Sequence, residues 1–285
     1  MARWVNPGST TACENWNKSQ MIMRTNKGAT ITDKMKKLIV IALTAVMMAA
    51  AWAWHVTGER FYITVLNYHR IDNAGNPMTV PPADFEQQLR YLRDQGYTSV
   101  TLDEVAAYLA GKGELPARPV VITFDDGYED NQRVAVPLLR KYGFHGIIFV
   151  ITDNIGKPGY LTWEQMKAVQ ERAINIGSHT MTHADLTKLD AAELARELQN
   201  AKASLEKGLG TRVDYIAYPY GGVNAQVIAA TKDAGYKGGS GTSIGVVLPG
   251  DNMYNLRRIY ISPSLFGLWD FKFRLQRARL LSVFQ

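Results

Sequence analysis

The 285-residue chain is 46% hydrophobic and 20% charged, which fits one large globular domain with or without an extension and excludes a disordered or fibrous protein. Of its 32 Lys/Arg and 26 Asp/Glu, residues 1–37 hold seven and two, so the rest of the chain is close to neutral and offers no basic face for nucleic acid. Cys13 is the only cysteine, which leaves no internal disulfide and no zinc–thiolate site.

The first element is an uncharged run from Leu38 to Trp54. It approaches the roughly 20 apolar residues that span a bilayer. Lys34, Lys36 and Lys37 precede it, while Glu59 and Arg60 follow. Positive-inside logic then keeps the N-terminus in the cytoplasm and places the later residues across the membrane. A cleaved secretory signal beginning at Met35 fits the same residues. The expected organisation is a basic segment over 1–37, a transmembrane anchor or signal over 38–56, and one domain over 60–285. Both readings put that domain outside the cytoplasm, in the cell envelope or secreted.

From residue 61 the pattern alternates between strands and helices. FYITVLNY (61–68) is β-branched and aromatic, and ADFEQQLRYLRDQG (83–96) sets Phe85, Leu89 and Leu92 on one helical face. Thr101 with Glu104, Thr162 with Gln165, and Asp190 with Glu193 stand at capping-box spacing. PVVITF (119–124), HGIIFV (145–150), INIGS (174–178), VDYIA (213–217) and RRIYISP (257–263) read as further strands. Helices are expected over about 130–142, 162–172, 190–210 and 224–234. Repeated strand–helix–strand order implies a parallel sheet with crossover helices. About seven units without a linker favour a closed or nearly closed α/β barrel, with a doubly wound open sheet as the alternative.

Chemically capable residues gather where these strands end. Asp125 and Asp126 follow PVVITF, His179 and His183 follow INIGS, YPYG (218–221) follows VDYIA, and His69 follows ITVLNY. Histidines four apart can turn both rings to one side, and two imidazoles with one carboxylate make a metal site with open positions. Two adjacent carboxylates at the end of a buried strand need a neutralising cation. One of them can then hold the metal while the other accepts a proton from water. Read separately, the histidines could be a solvated loop pair and Asp-Asp-Gly an ordinary turn.

TFDDG (123–127), SHTMTH (178–183) and YPYG (218–221), in this order, resemble the NodB-homology polysaccharide deacetylases, carbohydrate esterase family four. The resemblance covers about residues 60–262. It implies a distorted (β/α) barrel of about seven strands that removes acetyl groups from N-acetylglucosamine-containing polysaccharide with a divalent metal, zinc first and nickel or cobalt as alternatives. It also implies Asp125 as the catalytic base, Asp126, His179 and His183 as metal ligands, and the Tyr220 backbone N–H as an oxyanion donor. Two features depart from the family pattern. Ile216 stands where an Arg normally braces the base, and no histidine follows His183 to act as general acid. LNYHR (66–70) is similar to the biofilm exopolysaccharide deacetylases, those acting on poly-N-acetylglucosamine, in which the acid-bearing segment lies on the N-terminal side; His69 is then the candidate acid. The rival readings are an O-acetyl esterase on the same scaffold, a non-catalytic carbohydrate-binding relative, and a membrane-tethered structural protein. Tyr68, Tyr128, Tyr160, Trp163 and Tyr220 are candidate sugar-facing rings. The basic, apolar tail over 268–284 reads as a final helix or a membrane-surface segment.

Overall fold

The computed structural model describes residues 33–58 and 61–282, without the side chains of 50 and 53–58. Most of the basic segment expected over 1–37 therefore lies outside the described residues. The chain divides into two compact units, Met1–His55 and Val56–Gln285.

Within the first unit a helix, α1, begins at Asp33, and it runs to Gly58. Asp33 in its first turn faces the partial positive charge of the helix N-terminus. Among the described residues no helix is long and apolar enough to cross a membrane. The span expected over 38–56 extends into positions whose side chains are outside the described ones.

In the second unit eight strands form one parallel sheet: β1 (Thr64–Tyr68), β2 (Thr98–Ser99), β3 (Pro119–Phe124), β4 (Gly146–Val150), β5 (Ile174–Ser178), β6 (Tyr215–Ala217), β7 (Gly238–Ile244) and β8 (Leu256–Tyr260). Neighbours run β1-β8-β7-β6-β5-β4-β3, and β1 also pairs with β3, so seven strands close into a ring. The whole of β1 lies along β3, from Thr64 opposite Val120 to Tyr68 opposite Phe124. The other edge of β3 is shared: two-residue β2 takes its start and β4 its end. The register slips between Ser240 and Ile244 where β7 meets β8, which distorts the barrel.

Every residue of β1, β3 and β4 is buried, as expected of strands covered on both faces. Alternate residues serve two cores. Val65, Val121, Ile147, Phe149, Ala217 and Leu256 fill the barrel interior. Leu66, Tyr68, Ile122, Phe124, Ile148 and Val150 face the surrounding helices. Those helices are α2 (Pro82–Asp94), α3 (Leu102–Leu109), α4 (Val136–Lys141), α5 (Trp163–Gln170), α6 (Ala191–Leu209), α7 (Ala225–Asp233) and α8 (Leu268–Leu281). The three capping boxes form as the spacing predicts, at Thr101, Thr162 and Asp190. On α6, Leu194, Leu198, Ala201, Leu205 and Leu209 are buried, and Gly210 ends the helix in the left-handed conformation. Each buried leucine contributes roughly 1.5–3 kcal/mol.

The helix expected over about 130–142 begins differently. Residues Asn131–Ala135 wind as a π-helix before α4. Wide turns of this kind often mark functional sites.

Candidate active site

β1, β3, β5 and β6 end on the same rim, and each delivers part of the site. Asp125 is the first residue beyond β3, and its N–H donates to the Tyr68 carbonyl at 2.9 Å, which ties the ends of β1 and β3 together. Asp126 then turns the chain with φ 71°, and Gly127 follows at φ 77°. A Cβ at Gly127 would press on Val150 at 3.1 Å, so only glycine lets the turn pass this close to β4. Thr180, His183 and Tyr220 also have positive φ. Of the five non-glycine residues in that region among those described, four belong to the rim; strain of this kind collects where structure is held for function.

Asp126, His179 and His183 come together, with one donor atom from each lying within 4.8 Å of the others. Asp126 Oδ1 is 3.4 Å from His179 Nε2 and 3.5 Å from His183 Nε2. Ligands 2.0–2.2 Å from a tetrahedral zinc stand roughly 3.4 Å apart, so the spacing fits such an ion. Asp126 Oδ1 is buried and has no hydrogen-bond partner. An orphaned carboxylate oxygen facing two imidazole nitrogens is the arrangement a cation completes. His179 Nδ1 lies 2.7 Å from the Ala217 carbonyl, which orients Nε2 toward Asp126. Burial pushes the His179 imidazole down, but the Asp126 and Asp125 carboxylates, with the Ala217 carbonyl, together raise it above its ordinary value. Burial, with His179 as its neighbour, lowers His183.

Asp125 is buried beside this cluster, with a different partner. Arg258 Nη1 and Nη2 donate to its two oxygens at 2.7 and 2.8 Å, and Asn67 Nδ2 donates at 3.1 Å. Arg258 also donates to the Gly241 carbonyl and to Thr123 Oγ1. Burial alone would raise the Asp125 carboxyl. The Arg258 guanidinium reverses this and holds it well below the usual carboxylate range. The missing Arg before YPYG is thus supplied from another strand. The sequence carried one signal for it: an arginine at an inward position of β8 needs a buried anion, and Asp125 needs a cation.

His69 follows β1. Its ring meets Tyr260 edge to face at 5.5 Å, and its Nδ1 is buried with no partner. Burial lowers the imidazole below its ordinary value, against the pull of Asp125 and Asp126. Asn131 Nδ2 donates to the His69 carbonyl at 2.8 Å, and Asp130 Oδ1 accepts from Ile71 N–H at 2.7 Å, so the chain leaving His69 is held at two points. A cavity of about 340 Å³ is lined by Asn67, His69, Asp125, His179, His183, Tyr220 and Tyr260, among others. All six expected site residues therefore lie on one rim, five of them around this cavity and Asp126 against the two histidines.

The candidate sugar-facing rings separate. Tyr68 is core, bonded to Gln88. Tyr128 stacks on Tyr160 at 5.0 Å beneath the Arg70 guanidinium, and Trp163 packs against Gly208. Tyr220 is 70% exposed, its ring 4.7 Å from that of His183.

A family model described as polysaccharide deacetylase matches residues 112–239. The Bacillus subtilis (strain 168) protein "Putative polysaccharide deacetylase YxkH" is 35% identical over 215 residues, which is 75% of this chain and 77% of that protein. The Staphylococcus aureus poly-beta-1,6-N-acetyl-D-glucosamine N-deacetylase is 28% identical over 230 residues, 70% of this chain and 79% of that protein. Among solved structures, the Streptococcus pyogenes deacetylase PplD in complex with acetate aligns with a TM-score of 0.68 at 30% identity, covering 73% of this chain and 97% of that one. IcaB from Ammonifex degensii aligns at 0.66 and 28% identity, covering 77% and 97%.

Proposed function

Since this chain belongs to the polysaccharide deacetylase family, we propose that it hydrolyses N-acetyl groups on an N-acetylglucosamine-containing polysaccharide and releases acetate. The observation that carries this reading is the shared cavity, where an ionised carboxylate, two imidazoles of a three-donor cluster and a further histidine face one space. Similarity to the S. aureus enzyme, which is named for its poly-N-acetylglucosamine substrate, supports the substrate class.

Asp126, His179 and His183 are the residues that hold a divalent cation, and their donor set suits zinc. When bound, such an ion supplies Lewis acidity toward the acetyl carbonyl and brings the acidity of water toward neutrality. Asp125 takes the proton of the attacking water; its grip by Arg258 and Asn67 keeps it ionised and fixed in direction. A C–O bond forms at the acetyl carbon, and the Tyr220 N–H offers a dipole to the developing oxyanion. His69 in its protonated form, which the Asp125 and Asp126 carboxylates favour against burial, gives a proton to the nitrogen as the C–N bond breaks, because an amide anion is a very poor leaving group. The products are acetate and a free amine. Exposed Tyr220 offers the one open ring of the five candidates to a sugar.

The test is acetate release from poly-N-acetylglucosamine, chitin oligomers and peptidoglycan, with and without chelator, and from an O-acetylated xylan. The reading expects chelator-sensitive release from at least one N-acetylated polymer, with loss of about 10²-fold or more in His69→Ala. Release from the O-acetyl substrate alone, unaffected by His69→Ala, would establish the esterase instead, since an ester leaving group needs less acid assistance.

A further inference from the structure

The turn between the two histidines adopts a conformation that its residues do not favour. Thr180 and His183 have φ of 66° and 67°, a region that side chains with a Cβ seldom enter. Neighbouring elements hold it from two directions. Thr152 and Asp153 N–H groups donate to the Thr180 and Met181 carbonyls at 3.2 and 3.0 Å. The turn's own amides converge on one side chain of α6. Glu197 Oε2 accepts from Met181 N–H at 2.9 Å and from Thr182 N–H at 3.0 Å, and Oε1 accepts from the Thr182 hydroxyl at 2.7 Å.

Glu197 is 6% exposed, on a helix face otherwise made of Leu194, Leu198 and Ala201. A carboxyl group belongs among leucines only when its oxygens are satisfied. All three donors come from the two residues just before His183. His183 depends on this support more than His179 does. The Ala217 carbonyl fixes the His179 ring, whereas among the described residues no hydrogen bond beyond its approach to Asp126 holds the His183 ring. The His183 side chain is also more open, 26% exposed against 3%. Beyond edge contacts with the His179 and Tyr220 rings, its direction is therefore set by its backbone, which is held by the His183 N–H bond to Thr180 Oγ1 and, through the two preceding residues, by Glu197.

We infer that Glu197 is a positioning residue for the cation site: it holds residues 181–182 so that His183 Nε2 points at Asp126. The inference rests on reading Asp126, His179 and His183 as a divalent-cation site. It gives α6 a second task beyond packing, since one helix face both buries leucines and braces the turn.

The test measures zinc affinity of the full-length protein by competition with a chromophoric chelator, for wild type, Glu197→Ala, Glu197→Gln, Thr182→Val and His183→Ala. Glutamine keeps a carbonyl oxygen for the two N–H groups, and its amide can donate to the Thr182 hydroxyl. Supporting residues around metal ligands typically change affinity by 10–100-fold, so Glu197→Ala is expected to weaken zinc by about tenfold or more and Glu197→Gln by less than about threefold. Thr182→Val, an exposed change that removes one of the three bonds, is expected to weaken zinc by about two- to tenfold. A purely structural role would lower the thermal midpoint of Glu197→Ala and leave the zinc affinity of the folded protein unchanged. That result, or equal loss in the Gln and Ala variants, overturns the inference. If Glu197→Ala fails to fold, Thr182→Val decides: weaker zinc binding supports the inference and unchanged binding overturns it. Wild type that binds no zinc, or His183→Ala that binds it as well as wild type, defeats the reading of the site itself.

Discussion

Arg258 is the bulkiest fully buried side chain among the described residues, and its place follows from one partner. A guanidinium 1% exposed inside a barrel is tolerable only beside an anion, and both oxygens of Asp125 meet it. Removing one member leaves the other unpaired. Arg258→Leu is therefore expected to cost about 3–5 kcal/mol at neutral pH. The pH dependence has a definite sign. In the wild type, Asp125 titrates below its ordinary value of 3.8, so its contribution is present at neutral pH and is lost as pH falls through the acid range. In Arg258→Leu the main force against burial is gone and only Asn67 and the neighbouring imidazoles still favour the charged form, so the carboxyl rises from its wild-type position and keeping it ionised costs more stability as pH rises. Thermal midpoints at pH 4.5 and 7.5 check this: the gap between wild type and variant should be wider at pH 7.5. A gap independent of pH would mean that the pair does not set the Asp125 charge.

Asp125, Asp126, His179 and His183 were legible in the sequence because the signal is local: two acids ending an apolar strand, and two histidines four apart. Arg258 was not. Its partner lies 133 residues away, and only barrel closure brings β8 and β1 beside β3. Among the aromatic residues, type and neighbourhood did not separate core from surface. Tyr68 ends β1 and Tyr220 stands just beyond β6, yet one is fully buried and the other 70% exposed.

At the level of elements, the segment after Asp126 does more than begin a helix. Asp130 and Asn131 grip the backbone around His69, and the π-turn at Asn131–Ala135 follows directly. Asn131 is fully buried, and its amide joins the His69 carbonyl to Asp130. Asn131→Ala is expected to lose about 1–3 kcal/mol of stability and to misalign the candidate acid. The expected signature is selective. N-acetyl hydrolysis should fall about tenfold further than hydrolysis of p-nitrophenyl acetate, whose leaving group needs no proton. Equal losses on both substrates would show that Asn131 does not act through His69. The capping boxes and the α6 stripe were readable because they depend on residues three or four apart. The π-turn was not, since contacts with the distant His69 loop accompany it and a helical period does not encode them.

At the scale of the whole molecule, the barrel gathers residues separated by more than a hundred positions onto one rim. The alternation of strands and helices made a parallel barrel of about seven strands legible, and seven strands close the ring. The junction of β3 with β1, β2 and β4 was less so, because two-residue β2 leaves little periodicity to read. A cation site whose donors come from two separate turns, after β3 and after β5, should couple metal binding to folding. Zinc at about 100 times its dissociation constant should stabilise the domain by about 2.7 kcal/mol, which is roughly 5–10 °C in thermal midpoint for a domain of this size. The effect should begin to fade already above the ordinary histidine value of 6.5 as pH falls, because the raised His179 imidazole then takes a proton in place of the metal. A midpoint indifferent to zinc at pH 7.5 would separate the three donors from any ion.

The central claim is that Asp126, His179 and His183 hold a cation while Asp125, beside them, moves the proton. Zinc content and acetate release, measured on one preparation of Asp125→Asn, test it most directly. The account predicts close to one equivalent of zinc per chain, as in wild type, with acetate release reduced by about 10²-fold or more. A variant that keeps wild-type acetate release would contradict it.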